Sequence, residues 1–384
     1  MLSFVHSNNS ECQSVNFYDL ILKKFGFSFG LRYLCNMEEY MNISSFLIGV
    51  STAFFAMFAV HILFWRTKRT RFQTVLGYIM AVWAVWNLKD LIVTFPGMYT
   101  EKVLNWIMVI DGWSALTYTV FVFETVMPRW VIWRRLVYLS LPFAIFTLLY
   151  IIQPQQWVIY AYVVFLWLYA WMIVVIGYVK MKRYLSYVRK NYSNIDDIDV
   201  SWLKPVFAFA IVSQLAWLFT SLFATVTMDI IYYISIILLW LMVLHYSWNF
   251  RPIVVEQEQE QPQNIHRNPS SAIVEGVLER IVEEQQLYLV KNLTLTDLAE
   301  AMGTNRTYVS NYLSQVRGQT FYDYINQIRI EKKSVPLLRE HPEYTLDYVA
   351  NESGFASIST FRRAFLKLTG KTPRQFITDS TPEP

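Results

Sequence analysis

Two groups of side chains in the 384-residue chain have types and spacings suited to chemistry. The first is polar and occurs twice. Asn305, Arg306, Thr307, Ser310 and Asn311 stand beside an apolar stripe of Val309, Tyr312 and Leu313. Ser357, Ser359, Thr360, Arg362, Arg363 and Lys367 stand likewise beside Phe361, Phe365 and Leu368. Apolar positions three to four apart predict helices, so short hydroxyls, amides and guanidinium groups are left on the outward faces. No acidic side chain is among them. Such groups suit hydrogen bonding to base edges and phosphate oxygens in a major groove of double-stranded DNA. Residues 291–378 carry twelve Lys and Arg against eight Asp and Glu, a balance of the right sign for a polyanion. A solvated basic face is the plainer alternative. Phe355, Phe361 and Phe365 read as core.

The second group consists of charges within apolar sequence, where they are costly and default to a functional reading. Lys89 and Asp90 fall about 10 Å from one end of their apolar stretch and Asp111 about 12 Å from the matching end of the next. Equal depth allows a Lys89–Asp111 pair. Asp229 adds a carboxylate at the same end, and Trp83, Trp86, Asn87, Trp113 and Tyr118 are expected to line a cavity between these helices. Lys89, Asp90, Asp111, Asp229 and Trp113 are therefore candidates for sensing a small polar ligand or an envelope condition. The alternative is that Lys89 and Asp111 clamp helices together while the tryptophans form interfacial belts. Glu124 is expected to pair with Arg129 or Arg134. There is no His-Glu-x-x-His motif, no phosphate-cradling glycine loop and no paired catalytic constellation, so neither enzyme activity, cofactor nor metal is expected. Both cysteines, Cys12 and Cys35, lie in the first forty residues, which leaves no disulfide framework elsewhere.

The elements that must position these groups differ in kind. Apolar residues make up 54% of the chain and charged residues only 16%, too greasy a mixture for a string of soluble modules. Seven apolar stretches of bilayer-spanning length run over about 43–65, 72–95, 104–127, 136–152, 157–179, 205–227 and 230–250. The fourth is shortest and holds Pro142. Thirteen Lys and Arg fall in alternate connections, from Arg66 to Arg71, Arg129 to Arg135 and Lys180 to Lys204, against Lys102 alone in the others. Positively charged loops resist translocation, so a multi-pass membrane protein is expected, with the N-terminus outside and the C-terminal part cytoplasmic. Residues 1–42 read as an N-terminal extension unlike a signal peptide, with Met37 or Met41 as an alternative start.

Residues 252–271 form a polar tether with the Gln/Glu run Glu256–Gln261 and no apolar periodicity. From 272 to 384 the composition is that of a soluble fold, and it contains a repeat. Leu295-Thr-Asp-Leu298-Ala299-Glu-Ala-Met-Gly303 recurs fifty-one residues later as Leu346-Asp-Tyr-Val349-Ala350-Asn-Glu-Ser-Gly354. After a one-residue shift, Val309, Leu313, Gly318 and Thr320 match Phe361, Phe365, Gly370 and Thr372. Each copy has helix–turn–helix grammar: an apolar helix with a small Ala, a Gly at the turn, then a second apolar-striped helix. The amphipathic stretch Ala272–Leu289 either packs within this domain or supports a homodimer.

The stretch Gly354-Phe-Ala-Ser-Ile-Ser-Thr-Phe-Arg-Arg-Ala-Phe-Leu-Lys-Leu-Thr-Gly-Lys-Thr-Pro373 resembles the hallmark of the AraC/XylS family of bacterial transcription regulators, and Tyr324-Ile-Asn-Gln-Ile-Arg329-Ile330 resembles the start of that family's joining helix. The resemblance covers about 272–377. It implies a double helix–turn–helix DNA-binding domain, two recognition helices in successive major grooves, and RNA polymerase as a partner in activation. Three positions depart from the pattern. Pro336 is expected to kink the joining helix or end it early. Phe376-Ile377 stands where an aromatic–Arg pair is common, and Leu366 where a basic residue is common. The fold expected is all-α: a seven-helix transmembrane bundle followed by a soluble double helix–turn–helix domain. A transporter or membrane enzyme with a DNA-binding appendage is the alternative, and proteolytic release of the DNA reader at the tether a third.

Overall fold

The computed structural model of the chain describes residues 37–95, 98, 100–223, 226–254 and 271–380. Most of the N-terminal extension, with Cys12 and Cys35, and most of the polar tether lie outside the described residues.

The seven apolar stretches are helical. They are α1 (Met37–Val60, prolonged by the wider turn His61–Trp65), α2 (Arg71–Leu88, prolonged by the tighter turn Lys89–Thr94), α3 (Glu101–Gly112) with α4 (Ala115–Val126), α5 (Trp133–Ile152), α6 (Gln156–Asn191), α7 (Leu203–Phe223) and α8 (Val226–Ser247). The third stretch is thus two helices, broken at Trp113 and Ser114. Six segments among the described residues are long and apolar enough to cross a membrane, Lys102–Val126 counting as one, and α7 contributes a shorter apolar segment, Leu203–Leu215. Pro142 sits inside α5 without ending it. Among the described residues there is no strand, only an isolated bridge between Tyr192 and Thr294.

The described chain divides into two compact units. One runs to Tyr178 and resumes over Trp202–Asn249; the other comprises Val179–Ser201 and the chain from Phe250.

In the first unit an aromatic cluster forms the centre: Phe55 stacks on Trp83, and Trp240 meets Phe55, Trp83, Tyr118 and Phe121 at centroid separations of 5.7 to 6.3 Å. Rings at such offsets add to the hydrophobic gain of their burial. Outward faces of α1, α2, α5 and α6 expose Phe46, Tyr78, Val85, Ile145, Leu148 and Leu168. Thr70 starts α2 with a reciprocal cap, its Oγ1 accepting from Gln73 N–H while Gln73 Oε1 accepts from Thr70 N–H. The buried Glu124 pairs with Arg71 Nε at 2.9 Å and accepts from the backbone N–H groups of Arg129 and Val131. The side-chain pairing expected with Arg129 or Arg134 is therefore replaced by one to Arg71 on a separate helix, and Arg129 contributes its backbone instead.

The second unit continues with α9 (Ser271–Glu284), α10 (Leu295–Ala301), α11 (Arg306–Asn311, prolonged by the wide turn Tyr312–Val316), α12 (Phe321–Ile328), a wide-turn stretch Arg329–Ser334, α13 (Val335–Glu340), α14 (Leu346–Glu352), α15 (Ile358–Thr369) and α16 (Pro373–Ser380). Pro336 does not end the joining helix: the helix runs from Phe321 to Glu340 and adopts wider turns over the six residues before Val335. A proline removes one backbone donor and crowds the preceding turn, and loosening that turn relieves the crowding.

The repeat gives two cores. Leu298, Ala299, Val309 and Leu313 lie in the first, and their counterparts Val349, Ala350, Phe361 and Phe365 in the second. From α9, Leu278 and Val282 are fully buried in the first core, so its apolar face packs within its own unit. Ion pairs Arg317–Glu279 and Lys332–Glu283 hold the same helix. Leu368, placed in the apolar stripe by spacing, is 41% exposed because the stripe of α15 ends at Phe365.

Candidate nucleic-acid interface

Each helix–turn–helix copy is built from caps that the sequence supplies. Thr294 caps α10 in a reciprocal arrangement with Asp297, and Asn305 caps α11 by accepting from Thr307 N–H at 2.6 Å. In the second copy Thr345 caps α14 and Ser357 caps α15, its Oγ accepting from Thr360 N–H at 3.2 Å. Asn305 and Ser357 thus spend a side-chain acceptor on helix starts while keeping part of their surface outward.

On α11, Thr307 and Asn311 are exposed and Arg306 and Ser310 half-buried. On α15, Ser359, Arg362, Arg363 and Lys367 are exposed. These side chains form two polar faces, one per repeat, each backed by its own core. Lys367 Nζ meets Asp323 Oδ1 at 2.7 Å. Thr360 departs from the expected outward set: it is only 2% exposed, and its hydroxyl donates to Asp196. The reason is a neighbour that helical spacing does not report, the segment Tyr192–Ser201, which packs in this unit.

Arg329 has no role legible in the sequence beyond the resemblance. It is 1% exposed, and Nε donates to Tyr288 O at 2.6 Å and Nη2 to Val290 O at 2.7 Å. It also meets Asn326 Oδ1 at 3.1 Å and Ser193 Oγ at 3.3 Å, and lies over the Phe355 ring at 5.4 Å. Partners from four stretches, the turn at Tyr288 and Val290, Asn326, Ser193 and Phe355, thereby converge on one guanidinium, whose fork of donors suits several carbonyls at once. Burial holds its pKa down to about 10, still charged at neutral pH. Phe376, the residue before the departing Ile377, packs its ring on Phe365 at 5.4 Å.

In the first unit Lys89 Nζ lies 2.5 Å from Asp90 Oδ1 and 2.6 Å from Asp111 Oδ1, so the three charges form one cluster. A cavity of about 150 Å³ is lined by Trp83, Asp111, Tyr118, Tyr169, Ser213 and Trp240 among others. Trp86, Asn87 and Trp113, expected in its wall, are not there. Asn87 Nδ2 donates to Trp83 O at 3.0 Å and Trp113 Nε1 to Thr147 Oγ1 at 3.1 Å, so both turn to other partners. Asp229 falls within α8, and its side chain lies outside the described residues. Among the described residues no group of three or more His, Cys, Asp or Glu is placed to hold a metal ion.

Residues 298–379 match the family model described as a helix-turn-helix domain. This segment is an AraC-type helix-turn-helix domain. An uncharacterised HTH-type transcriptional regulator of Staphylococcus aureus (strain COL) is 26% identical over 118 residues, covering 31% of this chain and 15% of that protein. A second, YobQ of Bacillus subtilis (strain 168), is 32% identical over 89 residues, covering 23% of this chain and 36% of its own length. The alignments thus concern a minor part of each relative. No solved structure matches the chain. The AraC-type domain holds both polar faces, with Asn305 to Asn311 in one and Ser357 to Lys367 in the other, and Arg329 between them.

Proposed function

We propose that the chain is a membrane-embedded, sequence-specific transcription regulator that couples an envelope or small-molecule signal to gene expression. It acts without catalysis, and the AraC-type domain reads double-stranded DNA. The observation that carries this reading is the presence in one chain of the match over 298–379 and of six helices long and apolar enough to cross a membrane. The exposed apolar faces of the first unit support a lipid environment, because helices in hydrocarbon present such faces outward. The Lys and Arg bias of alternate connections supports a cytoplasmic DNA reader in the inner membrane of a bacterium, where RNA polymerase is a partner of activation.

On this reading Asn305, Arg306, Thr307, Ser310 and Asn311 face one groove segment, and Ser357, Ser359, Arg362, Arg363 and Lys367 the next, about 34 Å along the duplex, with Thr360 joining them only when Asp196 does not cover it. Lys89, Asp90 and Asp111, with Asp229, form the sensing region, and Asp111 joins the charge cluster to the aromatic cavity. A ligand that binds two arrangements of the bundle unequally shifts their populations.

Chromosome-wide mapping of the full-length protein, combined with transcript changes in a deletion strain and fractionation of the cell envelope, tests the proposal. Enrichment at discrete sites next to genes whose transcripts change, with the protein in the membrane fraction, is expected. Uniform background along the chromosome, or recovery in the soluble fraction, overturns it.

A further inference from the structure

The segment Tyr192–Ser201, which joins α6 to α7, is fastened to the helix-turn-helix unit at both repeats. At the first, Tyr192 bridges to Thr294, Ser193 N–H donates to Leu293 O at 3.1 Å, and Asn194 Nδ2 donates to Asn292 Oδ1 at 2.8 Å. Ser193 also accepts from the buried Arg329. These contacts deliver Asp196 to the second repeat. There its Oδ1 accepts from Thr360 Oγ1 and lies 3.6 Å from Arg363 Nη2.

Thr360 and Arg363 belong to the first two turns of α15, on the polar face that the proposed function assigns to the DNA groove. A carboxylate accepting from the Thr360 hydroxyl uses the donor that a phosphate oxygen or base-edge acceptor would use, and it places a negative charge beside the exposed Arg363 guanidinium, whose Nη2 donates to Thr360 Oγ1 at 3.1 Å. Both cannot be served at once, because the two anionic groups repel at such a distance.

We propose that the Tyr192–Ser201 segment is an internal competitor for DNA: Asp196 covers Thr360 and pairs with the exposed Arg363 on the second recognition helix, and specific DNA binding requires its release. The inference rests on the DNA-reading role proposed above. Because the segment continues directly into α6 on one side and leads to α7 on the other, a rearrangement of those apolar helices has a covalent path to the segment whose Asp196 contacts the recognition helix. The apparent affinity for DNA is then the intrinsic affinity multiplied by the fraction of molecules with the segment released.

The test uses full-length protein in detergent micelles and a duplex selected by the wild-type protein from a random-sequence pool. Dissociation constants are measured at one salt concentration, since affinity for DNA depends steeply on salt. Asp196→Asn and Asp196→Ala are expected to bind about five- to thirty-fold more tightly than wild type, about 1 to 2 kcal/mol. Asp197→Asn removes the same charge one residue along, from an exposed side chain, and leaves the Thr360 contact in place. It is expected to stay within about two-fold of wild type, as surface charges away from a contact have small effects. Unchanged affinity in both Asp196 variants, or equal tightening in Asp197→Asn, overturns the competitor. Failure of every form, wild type included, to prefer any duplex overturns the DNA-reading role itself.

Discussion

Gly303 and Gly354 occupy the same place in the two repeats, just after α10 and α14, and both have left-handed backbones with φ of +63° and +80°. Alanine there costs about 1 to 2 kcal/mol for conformation alone, because a Cβ crowds the following carbonyl. The surroundings differ. A Cβ at Gly303 meets nothing within 4 Å, whereas at Gly354 it would stand 2.7 Å from Leu289 O and 2.8 Å from Tyr288 O. Those are backbone atoms of the turn whose Tyr288 carbonyl also receives Arg329, so the clash cannot be relieved by a side-chain rotation. Overpacking of a tight site adds about 1 to 3 kcal/mol. Gly354→Ala is therefore expected to lose about 1 to 3 kcal/mol more stability than Gly303→Ala. Pulse proteolysis of the full-length variants in detergent across a urea series, following cleavage within the second unit, measures the difference. Losses that agree to within about 0.5 kcal/mol would refute the close packing of the second turn against Tyr288 and Leu289.

Other substitutions probe separate parts of the account. Arg362→Ala, on the exposed face of α15, is expected to weaken binding to a selected duplex by about 1 to 3 kcal/mol; an unchanged dissociation constant would remove Arg362 from the interface. Arg329→Met leaves the Tyr288 and Val290 carbonyls without their donor and is expected to destabilise the second unit by about 3 to 5 kcal/mol. Unaltered protease resistance of that unit in urea would contradict the role given to Arg329. Lys89→Met strands Asp90 and Asp111 without their cation and should lower the unfolding temperature of the solubilised protein, with partial recovery on adding Asp111→Leu. An unshifted melting curve for Lys89→Met would show that the cluster is not a structural clamp.

Most of the second unit is legible in the sequence through its internal repeat. Periodicity alone places Leu298, Ala299, Val309 and Leu313, and their counterparts Val349, Ala350, Phe361 and Phe365, in two equivalent cores, because each faces its own helix pair. The Lys89–Asp111 pair is readable too, from equal depth along neighbouring apolar stretches. What periodicity cannot report is a distant partner. Thr360 lies off the apolar stripe of its helix and so reads as outward, yet Asp196, 164 residues earlier, covers it. Glu124 finds Arg71 at a separation of 53 residues rather than the nearer arginines. A signal does exist for the docked segment: Asp196, Asp197 and Asp199 are an acidic cluster directly after the basic run Lys180–Lys190, which is out of character for a connection selected only for positive charge. Arg329 stands out in the sequence only as part of a family pattern, since a buried guanidinium served by backbone carbonyls leaves no trace in side-chain spacing.

Hydroxyl-radical footprinting of the full-length protein on a selected duplex examines the paired-reader claim most directly. Two protected patches centred about one helical turn apart on the same face of the DNA are the result expected, one lost with Arg306→Ala and the other with Arg362→Ala. A single patch, or protection that ignores sequence, would contradict a reader built from two successive recognition helices.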